Sequence, residues 1–299
     1  MKFFAICLSL LLLSPSFATA QRKRPPLPEA TFTDVSYGPH ERHVIDYYKA
    51  ESSTPTPLAV YIHGGGFTSG NKQTLNAGTL KQLRDAGISV AAINYRYSTI
   101  KPLPAAHHDA RHALQFMRSK AGEWGFDKNR IGAFGGSAGA QICMYLAFHD
   151  EMADPGSNDP VARESTRLAC VATSGGQTTM NFEWWRRWIP GYETNHRDFK
   201  ASSGVATYDE LRRAVRAFSA LDLISADDPP IFMSYGMTPD APIPEDPKKA
   251  NGWKIHHVTF GVKLKERMDA LGVAADLKYP GAITTYQNTA EFFIRQFGK

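Results

Sequence analysis

The chain has 299 residues, 42% of them hydrophobic and 11% aromatic, which is enough to bury the core of one complete α/β domain. Its formal net charge is +5, and much of the excess comes from Arg22, Lys23 and Arg24. Because no basic stripe with interleaved aromatic residues follows, the composition argues against nucleic acid as a partner.

The first twenty residues are typical of a secretory signal peptide. Lys2 precedes an apolar stretch, which ends in the small-x-small cleavage pattern of Ala18, Thr19 and Ala20. We therefore expect a secreted or periplasmic protein that is cleaved between residues 20 and 21.

Two further segments follow the predicted cleavage point. Residues 21–30 are basic and rich in proline, so we expect a disordered tail, and residues 31–299 are expected to form the folded domain. No later stretch approaches the roughly 20 apolar residues of a membrane span, so the sequence predicts no membrane segment in the mature chain.

The folded domain opens with a pattern of alternating strands and helices. Residues 31–37 and 43–48 alternate in polarity and predict two antiparallel strands at the leading edge of a sheet. Apolar runs at 58–62 and 88–93 predict buried strands, and the leucine spacing within 71–86 predicts a helix between them. A strand, a helix and a strand in this order indicate a parallel crossover.

A glycine loop follows the strand at 58–62. His63 is followed by Gly64, Gly65 and Gly66, and successive glycines leave backbone amides able to point at one spot. Acyl transfer needs such donors where negative charge develops on a carbonyl oxygen.

Residues 103–124 predict a helix that carries three histidines. His107, His108 and His112 suggest a metal site, but no carboxylate or cysteine pattern completes one, so we expect packed or solvated side chains and no metal or other cofactor. Cys143 and Cys170 lie in apolar surroundings and are expected to be buried thiols, although a disulfide between them stays open.

The stretch from Ile131 to Ala140 has the pattern of a nucleophile elbow. Gly135 and Gly139 flank Ser137 at a spacing of two, after a buried strand and before a helix predicted over 138–148. The pattern predicts a serine hydroxyl exposed at a strained turn.

Together, the glycine loop and the elbow resemble those of the hormone-sensitive-lipase-like branch of the α/β-hydrolases, near the small bacterial acetyl and feruloyl esterases. The resemblance runs from about Asp34 to the C-terminus. It implies the α/β-hydrolase fold, with a mostly parallel central sheet, helices on both faces and a lid insertion. It further implies a serine carboxylesterase that forms an acyl-enzyme on Ser137 with short acyl or carbohydrate-linked esters, and an oxyanion hole from Gly64, Gly65 and Ala138. The partner is then a small-molecule ester, and the oligomeric state stays open.

The lid is expected at about residues 179–220, where regular strand–helix alternation stops. Three of the five tryptophans, Trp184, Trp185 and Trp188, fall here. They could line a pocket above Ser137 or pack the insertion onto the core, and we favour packing.

The other members of a catalytic triad are harder to place. By resemblance, the acid follows the strand at 231–236, where Asp240 is the candidate and Asp246 the reserve. The family's histidine lies in a loop after the last strand, but Thr284 occupies its place, and no histidine follows His257.

A serine hydroxyl needs a base within hydrogen-bond reach, so the missing histidine leaves two hypotheses. In the first, His256 or His257 supplies the imidazole, with His257 our choice and His63 a further reserve. In the second, the chain is a catalytically impaired protein of the same fold that binds a ligand.

Overall fold

The structure is a computed structural model that describes residues 25–298. The predicted signal peptide and the first residues of the predicted tail lie outside this range. One eight-stranded sheet is formed by β1 (Phe32–Ser36), β2 (Val44–Tyr48), β3 (Thr56–Ile62), β4 (Ser89–Ile93), β5 (Phe126–Gly136), β6 (Cys170–Ser174), β7 (Ile231–Ser234) and β8 (Ala275–Lys278).

The sheet is mostly parallel, as predicted. Its strand order is β1-β2-β4-β3-β5-β6-β7-β8. β2 pairs antiparallel with β1 and with β4, whereas the five pairings from β4 to β8 are all parallel. Because parallel strands end at one edge, the loops after β3, β5, β6 and β7 meet there.

Helices cover both faces of the sheet, and their apolar sides form its two cores. Leucines of α1 and phenylalanines of α11 pack on one face, and α2, α4 and α10 contribute to the larger core on the other. The helices are α1 (Ala77–Asp85), α2 (Ala105–Ser119), α3 (Ala121–Trp124), α4 (Ala138–Phe148), α5 (Phe182–Trp188), α6 (Phe199–Ser203), α7 (Tyr208–Arg216), α8 (Ala220–Leu223), α9 (Pro247–Ile255), α10 (Thr259–Leu271) and α11 (Thr289–Phe297).

The helix predicted over 71–86 is interrupted at its start. Asn71 caps a short 3-10 helix (Lys72–Thr74), and the side chain of Asn76 then accepts a hydrogen bond from the amide of Thr79 and caps α1. Two asparagine caps within six residues stop a single continuous helix, because each one satisfies a separate set of unpaired amides.

Between β6 and β7 the chain forms the four helices α5 to α8, in the segment predicted as an insertion. Trp185 is buried, and its Nε1 donates a 2.8 Å hydrogen bond to the carbonyl of Thr179. Trp184 stacks on Phe260 of α10, whereas Trp188 is 39% exposed. Core packing thus explains two of the three tryptophans.

Three further sequence expectations can be compared with the structure. Cys143 and Cys170 are both buried thiols, and they form no disulfide. His107 is buried and packs against the rings of Phe67 and Phe218. Within residues 25–298, no helix combines the length and the hydropathy of a membrane-spanning segment.

Candidate active site

Ser137 stands alone in the turn between β5 and α4. Its backbone has φ 53° and ψ −119°, a conformation that non-glycine residues rarely adopt. The turn is held by a 2.9 Å hydrogen bond from the Ser137 amide to the carbonyl of Ser174 on the neighbouring strand. Strain of this kind costs on the order of 1–3 kcal/mol and tends to occur where it positions a functional group.

The two glycines of the elbow are required by close packing against β3. A Cβ on Gly135 would lie 2.4 Å from the carbonyl oxygen of Ile62, and one on Gly139 would lie 2.1 Å from the same oxygen. Any side chain at either position would therefore push β3 away from the turn. The spacing of two on each side of the serine follows from this contact.

His256 is the histidine that reaches the serine. Its Nε2 lies 3.0 Å from Ser137 Oγ, and its Nδ1 lies 2.9 Å from the carbonyl oxygen of Gly252. A carbonyl oxygen can only accept, so Nδ1 carries the proton and Nε2 is left to accept from the serine hydroxyl. This is the tautomer that a general base for Ser137 requires.

The environment of His256 keeps it neutral in the resting state. Burial lowers the pKa of His256 below its usual value, and the hydrogen bond to Gly252 opposes this effect. His256 also directly follows the last residue of α9, where the helix dipole is negative. This end of α9 would stabilise the imidazolium that forms when Ser137 loses its proton.

The helix α9 was missed in the sequence analysis, although its start has a clear signal. Asp246 is its N-cap and accepts a hydrogen bond from the amide of Lys249, and Pro247 occupies its first turn. Asp followed by Pro before a run of helix formers is a typical helix start. A helix that begins at this signal and runs to Ile255 places His256 at its C-terminus.

His257, our choice for the base, does not contact the serine. It is fully buried, its ring packs edge-on against Trp253 at a centroid distance of 4.3 Å, and its Nδ1 accepts from the amide of Thr259. Neighbouring residues at the end of a helix point in different directions, so only one of the two histidines can face Ser137. In the structure, the histidine that faces Ser137 is His256.

Neither predicted acid reaches the imidazole. Asp240 is exposed, and its pKa is lowered by a hydrogen bond from the side chain of Thr238. Asp246, the reserve, is used as the cap of α9. The carbonyl of Gly252 occupies the position at His256 Nδ1 that a triad carboxylate would fill.

Thr284, which replaces the family's histidine, is anchored away from the serine. Its hydroxyl donates a 2.6 Å hydrogen bond to Asp276, whose carboxylate also accepts from the amides of Thr285 and Tyr286. The loop after β8 is therefore folded back onto its own strand.

The glycine loop lies against the elbow, as an oxyanion hole requires. A Cβ on Gly64 would be 3.6 Å from the Cβ of Ser137. The amides of Gly64, Gly65 and Ala138 donate to no group within residues 25–298, and Ala138 is the first residue of α4, where amides lack intrahelical acceptors. His63 is buried behind the loop and stacks on Tyr95, so it supports the loop and does not face Ser137.

Two spaces of different size open beside Ser137. The first, the open cleft, has a volume of about 910 Å³ and is lined by Tyr61, Ser174, Ser234, Tyr235, Trp253 and His256. The second, the small cavity, has about 20 Å³ and is lined by Phe67, Ala138, Met180, Trp185 and Arg197. Ser137 lies at the boundary of both.

Comparison with known proteins identifies the family of the chain. A family model described as BD-FAE matches residues 45–248. LipM of Mycobacterium tuberculosis, described as a probable carboxylic ester hydrolase, is 30% identical over 210 residues, which cover 68% of this chain and 47% of LipM. The chain spans less than half the length of the curated relatives that it matches.

Solved structures share the fold. A truncated carbohydrate esterase from gut microbiota matches with a TM-score of 0.72 and 22% identity, over 92% of this chain and 100% of that one. An acetyl ester-xyloside bifunctional hydrolase from Caldicellulosiruptor lactoaceticus matches with a TM-score of 0.61 and 24% identity, over 79% of this chain and 76% of that one. With the sheet order, these matches confirm the predicted α/β-hydrolase fold.

Proposed function

Because the chain belongs to the BD-FAE family, we propose that it is a serine carboxylesterase with Ser137 as nucleophile and His256 as general base. The observation that carries this proposal is the 3.0 Å contact between Ser137 Oγ and His256 Nε2, with Nδ1 held by Gly252. A hydroxyl paired with a correctly oriented imidazole is the arrangement that activates serine for acyl transfer.

The proposed reaction has two halves. His256 Nε2 takes the proton of the Ser137 hydroxyl while Oγ attacks the ester carbonyl, and the amides of Gly64, Gly65 and Ala138 receive the oxyanion. The imidazolium then gives that proton to the alcohol oxygen as the carbon–oxygen bond breaks, which leaves an acyl-enzyme. Water repeats the sequence, with His256 as its base, and releases the acid.

The orienting group in this scheme is a neutral carbonyl. A carboxylate stabilises the imidazolium more strongly than a carbonyl dipole does, because it carries a full charge. The negative end of α9 supplies part of the difference, and a charge near a helix terminus is worth about 0.3–2 kcal/mol. We therefore expect real but modest turnover of activated esters.

The open cleft supports a carbohydrate-linked ester as the substrate. Its volume of about 910 Å³ lies within the range of small-molecule sites, and its aromatic rings and serines suit a polar alcohol such as a sugar. The carbohydrate esterase and the xyloside hydrolase among the structural matches support this choice. The predicted signal peptide supports a secreted or periplasmic location, where an enzyme can reach carbohydrate esters outside the cytoplasm.

Three variants test the proposed base with 4-nitrophenyl acetate as substrate. Ser137→Ala should abolish turnover, and His256→Ala should lower kcat on the order of 10² to 10⁴-fold, the range for a positioned base. His257→Asn is the matched control, since asparagine can still accept the hydrogen bond from Thr259, and it should retain turnover within about threefold of wild type.

The outcomes also decide between the two hypotheses raised by Thr284. If His256→Ala matches wild type while Ser137→Ala is inactive, another base operates and the dyad is wrong. If wild-type protein neither hydrolyses activated esters nor becomes labelled at Ser137 by a serine-directed phosphonate, the chain is a binding protein of this fold.

A further inference from the structure

The open cleft and the small cavity both border Ser137, and the position of His256 assigns their roles. His256 lines the open cleft and does not line the small cavity. The imidazolium has to protonate the departing alcohol oxygen, so the alcohol must lie on the side of His256. This inference rests on the proposed function. It places the alcohol in the open cleft and the acyl chain in the small cavity.

The small cavity has room for very little. A space of about 20 Å³ exceeds only slightly the 10–15 Å³ that one water molecule needs. A methyl group has similar dimensions, whereas each further methylene needs comparable space of its own. The cavity can accept the methyl of an acetyl group without movement of its walls.

Its apolar walls are held firmly. Met180 is buried, and its sulfur accepts a 2.8 Å hydrogen bond from Gln141 of α4. Trp185 is buried and is tied to Thr179 through its indole nitrogen. Both residues come from the segment between β6 and β7, so this segment limits the acyl side.

Arg197 forms a polar wall of the same cavity. Its Nη1 donates a 2.6 Å hydrogen bond to the carbonyl of Gly66, and its Nε donates a 3.2 Å hydrogen bond to Nε2 of His196. Within residues 25–298 no carboxylate pairs with this guanidinium. A longer alkyl or an aromatic acyl group would have to cover a cation that has no counter-charge, which is unfavourable.

We propose that the enzyme is a deacetylase for esters of large polar alcohols, that it excludes longer alkyl and feruloyl-type aromatic acyl groups, and that Met180 sets the limit. The bulk of the substrate then lies on the alcohol side, and the acid released is acetate. Of the acetyl and feruloyl esters that the family resemblance implies, the small cavity therefore favours acetyl esters.

The test compares 4-nitrophenyl acetate, butyrate, hexanoate and ferulate. In wild type, kcat/KM should fall on the order of 100-fold or more from acetate to hexanoate, and ferulate should be cleaved no faster than hexanoate. Each methylene that fits or fails to fit a pocket changes the rate by about 10 to 200-fold. Met180→Ala should raise the butyrate-to-acetate ratio by about tenfold.

Met152→Ala is the matched control. The sulfur of Met152 also accepts a side-chain hydrogen bond, from Tyr145, but Met152 lines neither the open cleft nor the small cavity. It should leave the butyrate-to-acetate ratio unchanged. Met180→Val, a smaller change, replaces Met180→Ala if the latter does not fold.

Labelling of Ser137 by 4-nitrophenyl alkylphosphonates separates this proposal from the proposed function. A methylphosphonate should label wild type at least tenfold faster than a hexylphosphonate does, and Met180→Ala should narrow the difference. Equal wild-type rates for acetate and butyrate, or a ratio that Met180→Ala leaves unchanged, would overturn the acetyl limit while Ser137 remains the nucleophile. Failure of every ester and every phosphonate would instead overturn the proposed function.

Discussion

His256 is oriented by Gly252, a residue without a side chain, which lies four positions earlier in the same helical turn. The carbonyl of Gly252 accepts from the His256 amide at 3.1 Å and from His256 Nδ1 at 2.9 Å. The base and its orienting group therefore belong to one local element. In a usual triad the carboxylate comes from a different loop, and loss of that carboxylate would leave the histidine without its orienting group.

The first prediction is that Asp240→Asn changes kcat by less than about twofold with 4-nitrophenyl acetate. Asp240 is exposed, and no hydrogen bond joins it to His256 within the described residues. Removal of a triad carboxylate typically costs about 10⁴-fold. A loss of even 100-fold in Asp240→Asn would show that the loop after β7 closes onto the imidazole during turnover.

The second prediction concerns Gly175, whose backbone faces the imidazole. A Cβ at this position would lie 3.3 Å from His256 Cδ2, and φ is +54°. Gly175→Ala should therefore displace the ring by a few tenths of an ångström and lower kcat roughly three- to tenfold, since small misplacements of a catalytic group are costly. Steady-state kinetics with 4-nitrophenyl acetate measures this change.

Gly272→Ala separates the loss of geometry from backbone strain. Gly272 has φ +74° at the end of α10, and a Cβ there would meet no atom within 4 Å. Both variants should lose about 1 kcal/mol of stability from an alanine in the left-handed region, but only Gly175→Ala should lose turnover. Equal activities in the two variants would mean that His256 adjusts without cost.

The third prediction is that the acid limb of kcat/KM lies below pH 6.5. Burial lowers the pKa of His256, and only the neutral imidazole can take the proton of Ser137. Activity should therefore rise with pH through a midpoint below 6.5 and be constant by pH 7.5. Initial rates from pH 4.5 to 8, with samples returned to pH 7 to exclude unfolding, measure it. A midpoint above 6.5 would indicate a carboxylate near the ring.

Much of this architecture could be predicted from the sequence. Apolar runs that alternate with helical periodicity predict the parallel sheet. Gly135 and Gly139 predict the elbow, because both pack too closely against β3 to carry a side chain. These features depend on local patterns of residues, so a single sequence displays them.

The base could not be chosen in the same way. His256 and His257 are adjacent and chemically identical, and only the direction in which α9 ends separates the one at Ser137 from the one against Trp253. The group that orients His256 is moreover a main-chain carbonyl and not a carboxylate. A sequence pattern cannot identify such a group by residue type.

The last prediction is that acid destabilises the fold through its buried histidines. Burial lowers the pKa of His63 and His257 to about 4 and that of His107 to about 3. In the unfolded chain each would take up a proton near pH 6.5. The unfolded state thus binds more protons below pH 6.5, so the free energy of unfolding falls as the pH drops from 6.5 towards 4.

His107→Phe isolates one of these contributions. The ring lies among Phe67, Tyr145 and Phe218, where phenylalanine has a similar shape. Because the folded pKa lies well below 5, the loss between pH 7.5 and 5 is set by the unfolded pKa alone and amounts to about 2 kcal/mol per histidine. Urea unfolding at pH 7.5, 6 and 5 should show that His107→Phe loses about 2 kcal/mol less than wild type over this range. Because carboxylates contribute equally to both proteins, parallel pH profiles would mean that His107 is protonated in the fold and hydrogen-bonded there.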